Sequence, residues 1–185
     1  MKVIETKLDG VVIIEPKVFG DDRGFFLESF QEQRYKEAGI DLPFVQDNHS
    51  RSSKGVLRGL HFQKNKPQGK LVSVTDGVVM DVVADINPNS TTFGEYVAVE
   101  LSGINHKQLY VPPGYAHGFV VLSDTADFHY KCSDYYDPTD EGGIIWDDPT
   151  LSIDWQLERL AGEEIKLSDK DKANQTLLQH TEDIQ

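Results

Sequence analysis

At 185 residues the chain fits one domain, which on folding buries roughly 70% of the surface its unfolded form exposes. Eighteen lysines and arginines against 31 aspartates and glutamates leave a formal charge of −13, which opposes non-specific attraction to nucleic acid or an anionic membrane, so any anion it binds needs a local basic cluster. The single cysteine, Cys132, excludes an internal disulfide, and no paired Cys/His spacing points to structural zinc.

The first residues, MKVIETKLDG, hold no apolar run of signal-peptide length, and no stretch nears the roughly 20 apolar residues of a membrane span, so a cytoplasmic protein is expected. Period-two alternation then recurs along the chain, in VVIIE (11–15), FFLES (25–29), KLVSVT (70–75), GVVMDVVADI (77–86), YVAVEL (96–101), KQLYVP (107–112), GFVVLS (118–123) and ADFHYKC (126–132). In 77–86, Val78, Met80, Val82, Ala84 and Ile86 make one strongly apolar face, opposite Val79, Asp81, Val83 and Asp85. Turn-rich NPNSTTFG, LSGIN, PPGYAHG and DPTDEGG lie between runs. One helix is predicted where Ser29 and Glu32 have capping-box spacing, QEQRYKEA follows and Gly39 stands at the C-cap; a second is predicted near 169–180. These signals describe a single all-β domain over 1–185, a jelly-roll barrel or sandwich with one or two short peripheral helices and an interior that can host a ligand.

The stretch KGVLRGLHFQ (54–63) places Arg58 and His61 an odd number of residues apart, so strict alternation sends them to opposite faces. Read that way, Arg58 is an exposed arginine and His61 a core histidine. A bulge at Gly59 would bring both to one pocket. A second histidine, His117, follows a Pro-x-Gly turn in PPGYAHGF (112–119), a spacing that resembles the second motif of the cupin superfamily of small barrels. Metal-binding cupins carry His-x-His with a following glutamate. Here Gln63 stands in place of the second histidine and KNKPQGK supplies no acid, so even with His49 the ligand set is incomplete and no metal is expected. An inward histidine without a metal is a candidate general base that needs an orienting partner and an opposing acid. Tyr130 shares the apolar face of 126–132 with Phe128, while His129 points outward and is expected to be solvated. Lys70 shares a face with Val72 and Val74 but heads its strand, where it can snorkel. Nothing local distinguishes Asp171 within LSDKDK.

In chain order, VFGDDRGFFLES, FVQDNHS, KGVLRGLHFQ, QGKLV, STTFGEYVAVELS, KQLYVPPGYAHGFVVLS, EGGIIWDDP and LSDKD resemble the dTDP-4-dehydrorhamnose 3,5-epimerase family from about Leu8 to Asp171. The resemblance implies a cupin-like jelly roll that works as a homodimer with neither cofactor nor metal. Its substrate would be a dTDP-4-keto-6-deoxy sugar, inverted at carbons 3 and 5. It assigns His61 as base, Asp171 as the carboxylate orienting it, Tyr130 as acid and Lys70 to the enolate charge. It assigns Arg23, Phe26, Glu28, Gln46, Asn48, Arg58, His117, Tyr136, Glu141 and Lys170 to substrate binding, with Arg23 and Arg58 on the diphosphate and Tyr136 stacked on thymine. Two departures, Asn87 where arginine is common and Gln156 where proline is common, touch only local turn geometry. The alternatives are an epimerase inverting one carbon of a related dTDP-4-keto-6-deoxy sugar, a non-catalytic sugar-binding jelly roll, and a metal-dependent cupin oxygenase.

Overall fold

A computed structural model describes residues 1–183. Numbered in chain order, the strands form a six-stranded sheet in the order β1 (Lys2–Glu5), β2 (Val12–Glu15), β10 (Gln108–Val111), β7 (Lys70–Asp76), β12 (Thr125–Cys132), β5 (Gln46–Ser53). A five-stranded sheet follows the order β13 (Glu141–Gly143), β6 (Leu57–Gln63), β11 (Tyr115–Val121), β8 (Val78–Asp85), β9 (Tyr96–Ser102), and β3 (Val18–Asp21) with β4 (Gly24–Leu27) makes a separate hairpin. Pairing within the sheets is antiparallel, as expected of a cupin-like jelly roll. Among the described residues no helix is long and apolar enough to cross a membrane.

The two sheets face each other across an interior filled by Val72, Val74, Val79, Val83, Leu101, Leu109, Phe119, Val121 and Phe128. The back of the five-stranded sheet is covered in turn by the C-terminal segment, where Met80, Val82, Ala84 and Ile86 pack with Leu151, Trp155, Leu160 and Leu177. Both faces of β8 are therefore buried, and the face carrying Asp81 and Asp85, which looks like a solvent face in the sequence, is the one turned to the barrel interior.

The helices differ from expectation in detail. Helix α1 (Glu32–Glu37) is capped by Gln31, whose side chain accepts from the Arg34 N–H at 2.7 Å, rather than by Ser29. The Ser29 carbonyl instead accepts from Tyr35 Oη and Gln108 Nε2, which keeps the chain extended until Gln31. Gly39 has φ +89° just past the C-cap, as expected. The helix expected near 169–180 is two short ones, α2 (Asp169–Lys172) and α3 (Leu177–Asp183), the latter starting where Asp148 accepts from the Leu177 N–H. Gln156 adopts φ +54°, which proline cannot reach, at the approach to the 3₁₀ turn at 157–160. Asn87 accepts from the Asn89 N–H in a turn.

The irregularity at Gly59 is present. Along β6 the partner of His61 is His117 and that of Arg58 is Phe119, so three steps on β6 match two on β11. Leu57, Leu60 and Phe62 consequently pack behind the sheet while Arg58 and His61 both face the interior clefts. Gly59 sits at φ +122°, and a Cβ there would lie 2.6 Å from the Gly118 Cα and 2.8 Å from the His117 carbonyl. Gly59→Ala should therefore cost about 2 kcal/mol or more in urea unfolding. A variant with wild-type stability would show that the backbone yields easily here.

Candidate active site

Two adjoining clefts open between the sheets. The first is lined by Gln46, Asn48, Tyr136 and Glu141, the second by Ser50, Arg58, His117 and Phe128, and His61, Lys70 and Tyr130 line both. These three come from β6, β7 and β12, so the junction is assembled from both sheets.

His61 Nε2 lies 2.7 Å from Asp171 Oδ1. Asp171 is 3% exposed, and its carboxylate also accepts from Ser168 Oγ at 2.6 Å and from the Gly59 N–H at 3.3 Å. Burial alone would raise its pKa, but these hydrogen bonds and the His61 ring hold it at about 2. An ionised Asp171 fixes the proton on Nε2 and leaves Nδ1 as the nitrogen free to act as a base. Glu141 Oε1 is 3.9 Å from that Nδ1, while its other oxygen is ion-paired with Lys170 and accepts from Tyr136 Oη at 2.5 Å. That hydrogen bond, with burial, pushes the Tyr136 phenol up to about 12.

Lys70 is half-buried at the head of β7, opposite Cys132, and burial pushes its ammonium below the ordinary lysine value. Burial likewise raises the Tyr130 phenol, which stays protonated at neutral pH and is suited to proton donation. It also raises the Cys132 thiol, so this residue is an inert wall. His117 is buried on Asp81, with Nε2 2.9 and 3.0 Å from the two carboxylate oxygens. Asp81 is wholly buried, and burial lifts its carboxyl pKa against the opposing pull of His117. Arg58 is exposed at the mouth of the second cleft and donates to Ser52 Oγ at 3.2 and 3.3 Å.

Three residues implied by the family pattern lie elsewhere. Arg23 and Phe26 sit on the β3–β4 hairpin, Arg23 paired with Asp21 and Phe26 69% exposed, and Glu28 pairs with Arg34 at 2.6 Å. None of them lines either cleft. His129 does point outward, but its ring stacks on His49 at 4.0 Å between centroids, so it is only partly solvated.

Four residues outside the sequence expectation shape the site. Asp81 holds His117 and Ser168 holds Asp171. Ser52 braces Arg58, and Gln63 Oε1 accepts from the Asp137 N–H, tethering the loop that carries Tyr136. Gln46 anchors the same loop by accepting from the Tyr136 N–H at 3.0 Å. Ser168 had a legible signal, because Ser168-x-x-Asp171 has capping-box spacing. Among the described residues no group of three or more His, Cys, Asp or Glu side chains is arranged to hold a metal ion.

A sequence profile described as dTDP-4-dehydrorhamnose 3,5-epimerase matches residues 5–179. The Escherichia coli K12 protein named dTDP-4-dehydrorhamnose 3,5-epimerase is 55% identical over 157 residues, covering 84% of this chain and 85% of that protein. A protein of the same name from Methanothermobacter thermautotrophicus is 49% identical over 171 residues, covering 92% and 91%. Among solved structures, a dTDP-6-deoxy-D-glucose-3,5-epimerase from Legionella pneumophila, in complex with dTDP-4-keto-L-rhamnose, superposes with a TM-score of 0.91 at 56% identity over 96% of this chain and 93% of that one.

Proposed function

The chain belongs to the dTDP-4-dehydrorhamnose 3,5-epimerase family, and we propose that it converts dTDP-4-dehydro-6-deoxy-D-glucose to dTDP-4-dehydro-L-rhamnose with His61 as base and Tyr130 as acid. The observation that carries this reading is the junction of the two clefts, where a carboxylate-oriented imidazole, a half-buried ammonium and a protonated phenol converge.

Carbons 3 and 5 both flank the carbon 4 ketone, so loss of either proton gives the same kind of enolate. His61 Nδ1 accepts the proton from carbon, and Asp171 stabilises the imidazolium through Nε2. Lys70 stabilises the negative oxygen of the enolate, the charge that proton transfer alone leaves uncompensated. Tyr130 then delivers a proton from the opposite face, which inverts the carbon. For a second turn at the other carbon the pair must reset, His61 losing a proton and Tyr130 regaining one through solvent.

Substrate affinity comes from a small cationic group that stands against the overall −13 charge. Arg58 at the cleft mouth offers a planar donor array to the diphosphate, and Tyr136, on its tethered loop, offers a ring face to thymine. The protein is a homodimer in this reading, supported by the hairpin: Phe19, Phe25 and Phe26 are 51%, 63% and 69% exposed, more apolar surface than a solitary hairpin retains without a partner. A second copy would cover them and receive Arg23, Phe26 and Glu28 at its own cleft. Sedimentation should give a dimer, and Phe26→Ser should shift it toward monomer and raise KM about tenfold. A fully active wild-type monomer would end this part of the reading.

The test of the reaction is proton NMR of dTDP-4-dehydro-6-deoxy-D-glucose incubated with the protein in heavy water, with and without chelator. Chelator-insensitive deuterium entry at carbons 3 and 5 is expected. Entry at one carbon would indicate a single-carbon epimerase, and tight binding without exchange would leave a sugar-binding protein.

A further inference from the structure

We infer that Ser168 is a positioning residue of the epimerisation: its hydroxyl locks the Asp171 carboxylate so that His61 keeps a single tautomer with Nδ1 free. This rests on the proposed role of His61 as base. Ser168 Oγ donates to Asp171 Oδ2 at 2.6 Å, and in return accepts from the Asp171 N–H at 3.1 Å. The opposite oxygen, Oδ1, faces His61 Nε2 at 2.7 Å and the Gly59 N–H at 3.3 Å. Each carboxylate oxygen therefore has its own donor, and the plane of the group is fixed from both sides.

That fixation matters because Asp171 rides on α2, a helix of only four residues whose own hydrogen bonds do little to hold a side chain still. Without the Ser168 hydroxyl, Oδ2 keeps no side-chain donor, the carboxylate rotates about its last bond, and Oδ1 is no longer aimed at Nε2. The ring is then free to carry its proton on either nitrogen, and the tautomer protonated on Nδ1 cannot accept a proton from carbon. A hydroxyl that merely capped α2 would leave the tautomer alone, so the two roles predict different observations.

The experiment combines ¹⁵N NMR of the substrate-free protein with kinetics of Ser168→Ala, Ser168→Thr, Asp171→Asn and the double variant Ser168→Ala/Asp171→Asn. In the wild type, at a pH where the ring is neutral, His61 should show an unprotonated Nδ1 and a protonated Nε2. In Ser168→Ala both resonances should move toward the tautomer-averaged midpoint, and in Ser168→Thr they should return. Turnover should fall about tenfold in Ser168→Ala with KM changed less than about twofold, a part of the roughly 10²–10⁴ that general-base assistance supplies. In the Asp171→Asn background the same change should cost less than about twofold, because residues acting through one another are not additive. An unchanged tautomer in Ser168→Ala, or a full tenfold loss on top of Asp171→Asn, would overturn the inference. The ring resonances need no turnover, so a failure of the epimerase reading itself would show separately, as a wild type that exchanges neither carbon.

Discussion

His61→Ala is expected to abolish deuterium entry at both carbon 3 and carbon 5 while leaving dTDP affinity within about threefold of wild type. The size follows from the role: general-base assistance is worth roughly 10²–10⁴-fold, and the other titratable groups of the clefts are already engaged, His117 by Asp81. Asp171 is held at about 2 and points at the ring, and the carboxylate of Glu141 is occupied by Lys170 and Tyr136. Lys70 serves as a cation in the proposed mechanism. Affinity should survive because the contacts proposed for the diphosphate and thymine lie in Arg58 and in the Tyr136 loop, which Gln46 and Gln63 hold independently of His61. Tyr130→Phe provides the contrast, since proton abstraction persists in that variant while delivery from the opposite face fails, so exchange with retention should outlast inversion. Residual inversion by His61→Ala above about a hundredth of wild type, measured by NMR with parallel calorimetric titration of dTDP, would remove His61 from the mechanism.

The sequence shows the strands well and their faces less well. Alternation locates β7, β8, β9, β10, β11 and β12 because each carries apolar residues into at least one core layer. It misses β5, QDNHSRSS, an edge strand whose outward positions are polar and whose inward ones, Gln46, Asn48 and Ser50, line the clefts. Asp81 is concealed for a related reason: a carboxylate on an alternating strand looks solvated, and only the buried His117 on the neighbouring strand β11 explains its place. The pairing of His61 with Asp171 spans 110 residues, a distance no local pattern bridges. Residue chemistry nevertheless poses the right question at Arg58 and His61, since their odd spacing demands an extra residue between them if both are to serve one pocket. Gly59 and Gly118 supply it by packing backbone against backbone. Arg23, Phe26 and Glu28 mark the opposite limit, because the family pattern groups them with the cleft residues while in the single chain none of them lines a cleft.

Lys70→Met is expected to lower turnover by about 10²–10³-fold, the usual loss when one preorganised donor to a developing oxyanion is removed. It should at the same time make the protein more stable. Burial disfavours the Lys70 ammonium, with the nearby Cys132, Asp81 and Glu141 pulling the other way, and its pKa in the folded protein lies below the ordinary lysine value. A lysine whose pKa falls on folding binds fewer protons in the folded state than in the unfolded one, so the fold gains stability as pH rises through that interval. Methionine removes the desolvation cost altogether while filling similar space. The same shift predicts the pH profile. Activity requires the charged form, which is present below the folded pKa and lost as pH rises through it, so the alkaline limb of kcat should begin below the value of about 10.4 for an exposed lysine. Tyr130 and Tyr136 are both shifted upward and do not account for a limb at lower pH. Lys70→Arg separates charge from geometry: guanidinium stays protonated throughout, so the limb should disappear even though the longer, planar head lowers kcat. Turnover of Lys70→Met within threefold of wild type, or an alkaline limb that persists unchanged in Lys70→Arg, would assign the enolate charge to another group.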